Sequence, residues 1–471
     1  MPLAEQIRMG IGVAIERGVL TPGARLPSWQ DLAAQLGVAR GTVRSAYEKL
    51  SAAQLIVASR AAGTHVAERP RAVVRSEQPP DPGSFMGMYQ EMTQGPAIFQ
   101  MGVPAEETFP ATLLARIRSH AVRAEARASP IYPDPRGEFE LRREIAAYLA
   151  VARGIECSPS QVIITGGYSS GLGLALRVLG LEGQRAWIEE PGFPFTRRGL
   201  ELGRLSLAAI PVDASGINVD HGLRHAPDAR LVVVTPGQQA PLGVVLSLER
   251  RLRLLDWAAQ DSVWVIEDDY LSELQMKGRA APALASLDRG GRVIHIGSFS
   301  KTISPTLRLG FLVAPISLVS RFSEVAACLA PPPGPSVQLA IAEFMRGGHY
   351  LRHLRRTKRA YSVKRDALLE CLQPQVKAAG SIATAGLAVL LRLPNGVPDT
   401  SIAREALALG MAPVPLSTWY ARPASGRSGL LLGIATAPNK HLARSCERLC
   451  AIIERLSLPR RRARVALPDE W

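Results

Sequence analysis

Val263-Trp264-Val265-Ile266-Glu267-Asp268-Asp269-Tyr270 is an apolar run that ends in three consecutive carboxylates and a phenol. Such a run reads as a buried parallel strand, and acidic residues at its carboxyl end lie where open α/β sheets bind ligands. The expected fold class is therefore α/β, and Asp268 is the first candidate site residue.

Two further stretches point to the same end of a sheet. Downstream, Gly297-Ser298-Phe299-Ser300-Lys301-Thr302 is followed by Leu307-Arg308-Leu309-Gly310. A lysine flanked by hydroxyls and followed by an arginine can form a Schiff base while its neighbours hold a phosphate. Upstream, Val162-Ile163-Ile164-Thr165-Gly166-Gly167-Tyr168-Ser169-Ser170 reads as a strand that breaks at paired glycines and restarts as a helix. The backbone N–H groups of Gly167, Tyr168 and Ser169 and the positive end of the helix dipole then converge as a phosphate cradle. A carboxylate that can pair with a protonated pyridine nitrogen completes what pyridoxal 5′-phosphate (PLP) requires, so PLP is the expected cofactor.

The first seventy or so residues carry a different pattern. Ile7, Ile11, Ala14 and Ile15 recur at helical spacing before a Thr21-Pro22-Gly23 turn. Ser28 can cap a short helix through Leu32 and Ala33, Gly37 breaks it, and a second helix carries Val43, Tyr47 and Leu50 inward. Arg40, Thr42 and Arg44 fall near the start of that second helix, where recognition helices meet base edges and phosphates. Val57 to Val66, with Arg60, Gly63 and His65, reads as two short strands and a basic turn that would form a wing. A formal net charge of +15 attracts polyanions, and with the helix-turn-helix outline it points to double-stranded DNA as a partner.

Taken in order, Tyr132-Pro-Asp-Pro-Arg-Gly137, Ile164-Thr-Gly-Gly167, Glu190-Pro-Gly-Phe193, Thr235-Pro-Gly-Gln-Gln-Ala-Pro-Leu-Gly243, Ile266-Glu-Asp-Asp-Tyr270 and Ser298-Phe-Ser-Lys301 resemble the aspartate-aminotransferase superfamily. More narrowly, they resemble the effector domain of MocR-type regulators, a GntR subfamily, and residues 3 to 67 resemble the GntR winged helix. The resemblance implies that Lys301 carries the PLP aldimine, that Asp268 faces the ring nitrogen and that Tyr270 hydrogen-bonds the ring hydroxyl. Phe193 would stack on the ring, where the family usually has tyrosine. Ser298, Ser300 and Arg308 would join Gly167, Tyr168 and Ser169 at the phosphate, and Tyr132 would reach the phosphate of the neighbouring subunit in a head-to-tail homodimer. Ser28, Arg40, Thr42, Arg44, Arg60, Gly63 and His65 would form the DNA surface. Gln30 stands where the family often has arginine, which implies an altered base preference.

Two departures bear on activity. Ala240 precedes Pro241-Leu242-Gly243 where enzymes of the superfamily place an asparagine for the ring hydroxyl. Leu431, in Gly429-Leu430-Leu431-Leu432-Gly433, occupies the place of the arginine that binds a substrate carboxylate. A leucine cannot make that bidentate pair, and Arg422 or Arg427 on the preceding loop is the candidate substitute.

A chain of 471 residues exceeds one core. The expected division is a winged helix-turn-helix at 1–67, a proline-rich linker at 68–97 and an aminotransferase-like fold type I body at 98–471. The body is expected to end in a smaller α/β part after Pro331-Pro332-Pro333-Gly334-Pro335. With Pro70, Pro79, Pro80, Pro82 and Pro96, the linker reads as extended, and it would span on the order of 90 Å in polyproline geometry. Five cysteines form no metal-type cluster, no run suits a membrane span, and a cytoplasmic protein is expected. The Arg460-Arg461-Arg462-Ala463-Arg464 run reads as a solvated tail. Two functions stay open: a DNA-binding transcription regulator that senses PLP or an amine effector, and a working aminotransferase with an accessory DNA-binding arm. The first implies a mainly sensory domain, with half-reactions still allowed.

Overall fold

A computed structural model describes residues 1–59, 63–68, 83–93, 97–276, 281–375, 380–422 and 426–457. The chain divides into two compact units, Met1–Gly87 and Met88–Trp471.

In the first unit the helix Leu3–Glu16 lays Ile7, Ile11 and Ile15 on a core of Val43, Tyr47 and Leu50. The helix Trp29–Leu36 starts where the Ser28 hydroxyl accepts the Asp31 N–H at 3.1 Å and donates to the Asp31 carboxylate at 2.7 Å. It stops at Gly37, whose φ of 65° suits a residue without Cβ. The helix Arg40–Ala52 turns Val43, Ala46, Tyr47 and Leu50 inward, and the Tyr47 hydroxyl donates to the Pro27 carbonyl at 2.9 Å. Ile56–Ser59 and Gly63–Val66 pair antiparallel as the expected wing. Arg25–Leu26 adds a third strand against Thr64 and His65, a pairing that two residues were too few to announce.

The stretch expected to be an extended linker contains a helix, Gly83–Thr93. Its eleven residues lack proline and carry Phe85, Met86, Met88, Tyr89 and Met92, so nothing in them blocks helical hydrogen bonding. Pro70, Pro79, Pro80, Pro82 and Pro96 lie outside the described residues, as do Arg60 and the Arg460–Arg464 run.

The second unit holds an eight-stranded sheet in the order Val162–Thr165, Gly310–Val313, Val293–Ser298, Trp264–Asp269, Leu231–Val234, Arg185–Glu190, Ser206–Asp213, Gly216–Ile217. The five strands from Val293–Ser298 to Ser206–Asp213 run parallel, and Gly310–Val313 is antiparallel to both its neighbours. Trp264–Asp269 sits mid-sheet and, apart from its half-buried first residue, is buried along its length, which explains its unbroken apolar run. A separate antiparallel sheet follows the order Ser381–Ala385, Ala388–Arg392, Gly429–Gly433, Val414–Pro415.

The Pro331–Pro335 loop does not open the smaller part. The helix after it, Pro335–Arg346, packs on helices Ala111–Arg127 and Phe139–Arg153, and one continuous apolar core joins it to both sheets. Proline and glycine at that point set a helix start, not a domain boundary. Conversely, Gly433 N donates to the Phe99 carbonyl at 2.8 Å and Ile98 bridges to Met411, so the smaller sheet also takes in chain from the beginning of this unit.

Candidate functional site

Sheet register brings the three sequence stretches to one edge. Ile296 lies opposite Asp268, Ser298 opposite Gly310, and Gly310 opposite Thr165, so the acidic strand end, the lysine turn and the glycine turn meet at the carboxyl ends of the parallel strands. Gly167 adopts φ 97° and starts the helix Tyr168–Leu179. A Cβ on Gly310 would come within 2.8 Å of the Gly167 Cα, so the two turns approach as closely as glycine permits. The first N–H groups of that helix have no carbonyl inside it. Ser300 N donates to the Ser298 hydroxyl at 3.1 Å, and the Ser298 hydroxyl donates to that of Ser300 at 3.0 Å. Arg308 is exposed with a left-handed backbone, φ 46°, and its carbonyl lies beside Gly166. The Tyr168 and Thr196 hydroxyls are bonded at 2.8 Å.

Lys301 is half-buried, and its Nζ donates to the Gly102 carbonyl at 2.7 Å. Burial lowers its pKa to about 8, with the Asp268 charge acting in the opposite sense. Asp268 is only 6 % exposed, and burial, then the charges of Asp269 and Glu189, push its carboxyl well above the usual range. No protein group among the described residues donates to that carboxylate. It lines a narrow cleft with Phe193, Thr196 and Arg197, whereas Lys301 lines a second hollow with Gly102 and Gly433. Tyr270 is half-buried, and its hydroxyl is raised by burial and by Asp268. Tyr132 is fully exposed.

The other face of the acidic strand is closed. The Glu267 carboxylate accepts Leu284 N at 2.6 Å and Ala285 N at 3.0 Å, and lies 3.0 Å from His295 Nδ1. Arg153 Nε donates to Asp269 at 2.7 Å and its Nη1 to the Ala281 carbonyl at 2.9 Å. Burial opposes ionisation of both Glu267 and His295, yet their mutual hydrogen bond and charge hold the acid below and the base above their ordinary values.

Sequence reasoning missed several residues here. Glu189 is buried at the end of its strand and accepts Thr235 N at 3.1 Å and the Thr235 hydroxyl at 2.5 Å, and burial raises it to about 7. Its signal was the Glu189-Glu190 pair that ends the run Ala186-Trp187-Ile188. Trp419, whose ring lies 5.6 Å from that of Phe193, had no comparable signal. Leu431 is fully buried in an apolar cluster with Ala240 and Trp419, against which Phe193 and Tyr270 pack. Arg422 and Arg427 are both exposed.

These residues fit PLP. An unpartnered buried carboxylate suits a ring N–H, an amine with lowered pKa suits an aldehyde, and a glycine-started helix suits a phosphate. In the first unit Arg40 and Arg44 are exposed, Arg44 stands 3.6 Å from Glu48, and Thr42 and His65 are half-buried. The Ser28 hydroxyl is engaged in its helix cap. Among the described residues no group of three or more histidine, cysteine, aspartate or glutamate side chains is placed to hold a metal, and no helix is long and apolar enough to cross a membrane.

Comparison with known proteins agrees with this division. Residues 99–394 match the family Aminotransferase class I and II, and residues 3–66 match Bacterial regulatory proteins, gntR family. The probable rhizopine catabolism regulatory protein MocR of Rhizobium meliloti is 32% identical over 92% of this chain and 90% of its own. The pyridoxine biosynthesis transcriptional regulator PdxR of Corynebacterium glutamicum is 32% identical over 79% of this chain and 78% of its own. The crystal structure of LysN, the α-aminoadipate aminotransferase of Thermus thermophilus, in complex with N-(5′-phosphopyridoxyl)-L-leucine, matches with a TM-score of 0.70 at 27% identity, over 78% of this chain and 95% of that one. A GntR winged helix and a fold type I aminotransferase-like body in one polypeptide place this chain in the MocR-type subfamily of GntR transcriptional regulators.

Proposed function

We propose that this regulator binds PLP at Lys301 and senses either PLP itself or an amine that reacts with it. The observation that carries the reading is Asp268, buried with no hydrogen-bond donor among the described residues, at the same sheet edge as an amine whose pKa is lowered to about 8. When bound, PLP supplies an aldehyde that condenses with amines and a ring that withdraws electrons. Asp268 would hold a proton at the ring nitrogen, Tyr270 would donate to the ring hydroxyl, and Phe193 would cover one ring face. Gly167, Tyr168 and Ser169 would offer backbone N–H groups to the phosphate, joined by Ser298, Ser300 and Arg308, with Tyr132 serving the site of a partner subunit in a head-to-tail dimer.

The DNA surface in this proposal is Arg40, Thr42 and Arg44 on the recognition helix, with Arg60, Gly63 and His65 on the wing and Ser28 at the preceding helix start. Residues 1–67, 68–97 and 98–471 would serve as reader, linker and sensor. Coupling requires that the ligand bind two arrangements of the chain with different affinity, and it then favours one spacing of the paired winged helices. Leu431 and Ala240 favour sensing over steady transamination, because neither side chain can pair with a substrate carboxylate or donate to the ring hydroxyl.

The first test is the visible absorption spectrum of the chain with and without PLP, with Lys301→Ala as control. A band that requires Lys301 is expected, together with operator affinity or half-site preference that changes over a PLP titration. A band equal in both proteins, or DNA binding indifferent to PLP, would overturn the reading. Sustained turnover of amino acids without a DNA response would favour the aminotransferase alternative.

A further inference from the structure

The helix Gly83–Thr93 stands in the chain between the winged helix and the sheet unit, and from Met88 onward it belongs to the latter. Its Tyr89 is 41 % exposed, and the ring meets that of Phe195 edge-on, with centroids 5.7 Å apart at 62°. The Phe195 ring in turn stacks on Phe193, at 5.1 Å and 27°, and Phe193 has a second aromatic neighbour in Trp419 at 5.6 Å. Phe193 lines the cleft that Asp268 also lines. A row of rings therefore runs from that helix to the wall of the candidate site.

The row depends on how the chain enters the helix Pro194–Leu202. Residues two apart inside a helix point to different faces. Phe193 is instead the N-cap, with an extended backbone at φ −62° and ψ 120°, and Pro194 opens the helix behind it, so Phe193 and Phe195 stack despite that spacing. The same helix is tied down beside them. The Thr196 and Tyr168 hydroxyls are bonded at 2.8 Å, and Arg197 donates to the Trp419 and Tyr420 carbonyls at 2.6 and 3.0 Å. Anchored groups thus flank Phe193 and Phe195, whereas Tyr89, at the far end of the row, stands partly in solvent.

We propose that Phe195 and Tyr89 are positioning residues for Phe193, and that through them the helix Gly83–Thr93 docks more firmly when PLP occupies the cleft. This rests on the reading that PLP binds beside Asp268. A side chain packed on several sides loses rotamer freedom. Phe193 pressed against a flat heterocycle therefore offers Phe195 a better-fixed ring to stack on, and Phe195 offers the same to Tyr89. The effect is reciprocal: whatever the cofactor adds to helix docking, the docked helix adds to cofactor affinity. Occupancy of the site is then felt in the chain that leads to the winged helix.

The test uses the full chain and its Tyr89→Ala, Tyr89→Phe and Phe195→Leu variants. PLP affinity is read from the visible band that requires Lys301, and docking from amide hydrogen exchange of residues 83–93. In the wild type, saturating PLP should slow exchange in that helix about 2- to 10-fold, the factor that one aromatic pair supplies. By reciprocity Tyr89→Ala should weaken PLP binding by the same factor and abolish the slowing, and Phe195→Leu should do likewise. Replacing the partly exposed Tyr89 leaves the core intact, so its variants report on the row even where Phe195→Leu fails to fold. Tyr89→Phe keeps the ring and should restore both readouts. A wild type that shows the band without any change in exchange overturns the inference, as does Tyr89→Ala with wild-type PLP affinity. Failure of Tyr89→Phe to restore affinity would assign the contact to the phenol hydroxyl and overturn the row of rings as the route. A wild type without the band refutes the PLP reading itself, and the coupling falls with it.

Discussion

The two faces of the strand Trp264–Asp269 carry neighbouring carboxylates with opposite fates. Glu267 and Asp269 are closed by Leu284 N, Ala285 N, His295 and Arg153, and there the acid of the Glu267–His295 pair is held down and its base held up, so the charged forms are favoured. Asp268, one residue away on the other side, has no donor among the described residues, and burial pushes its acid up while it pulls the Lys301 base down. A face whose charges are satisfied within the protein serves the fold. A face whose charges are penalised by burial is, in the proposed function, the one that a ligand with the missing partners would complete.

The largest effect that would sharpen this contrast belongs to the closed face. Arg153→Met removes the Arg153 pair from the buried Asp269 carboxylate and should destabilise the Met88–Trp471 unit by about 3 kcal/mol, read as a lowered denaturation midpoint. An unchanged midpoint would show that the closed face is not structural.

On the open face, pH should act in the sense of a penalised base. Lys301 goes from 10.5 when exposed to about 8 in the fold, so the unfolded chain binds more protons between those values. Stability should therefore rise as pH rises through that window, and the burial penalty should be present in full below pH 8. In the cofactor-free chain Lys301→Met should remove this slope and gain on the order of 2 kcal/mol near pH 7, discounted for partial exposure. Parallel pH profiles of the two proteins would contradict the assignment.

Glu189 tests the same face with the opposite sign. Its carboxyl rises from 4.5 to about 7 through burial, so the folded chain binds the extra proton and stability should fall as pH rises between those values. Glu189→Gln should flatten that fall by on the order of 2 kcal/mol, provided the amide keeps the Thr235 contacts. The smallest effect lies in the winged helix, where interactions are local: Ser28→Ala removes one cap and should cost about 1 kcal/mol of that unit's stability, seen by circular dichroism.

The winged helix was legible because its signals lie within a few residues of one another. Ser28 to Asp31, Gly37, and the spacing of Val43, Tyr47 and Leu50 each fix a local feature without help from distant chain. The strand Arg25–Leu26 and the helix Gly83–Thr93 were missed, the first because two residues carry no period, the second because surrounding prolines outweighed a proline-free interior. In the sheet unit the motifs around Gly167, Asp268 and Lys301 were legible as separate stretches, since strand ends and glycine turns mark ligand edges.

What the sequence alone determined is the kind of chemistry: a lysine, an acid and a glycine turn in the order of one family, behind a helix-turn-helix. Only the tertiary structure decided which carboxylate is open and which is closed, because the alternation of side chains across one strand puts adjacent residues in opposite environments. Only it brought Trp419 beside Glu190 and Arg197, which stand more than two hundred residues earlier, and buried Leu431 in an apolar cluster with Ala240, since these meet through packing and not through local sequence.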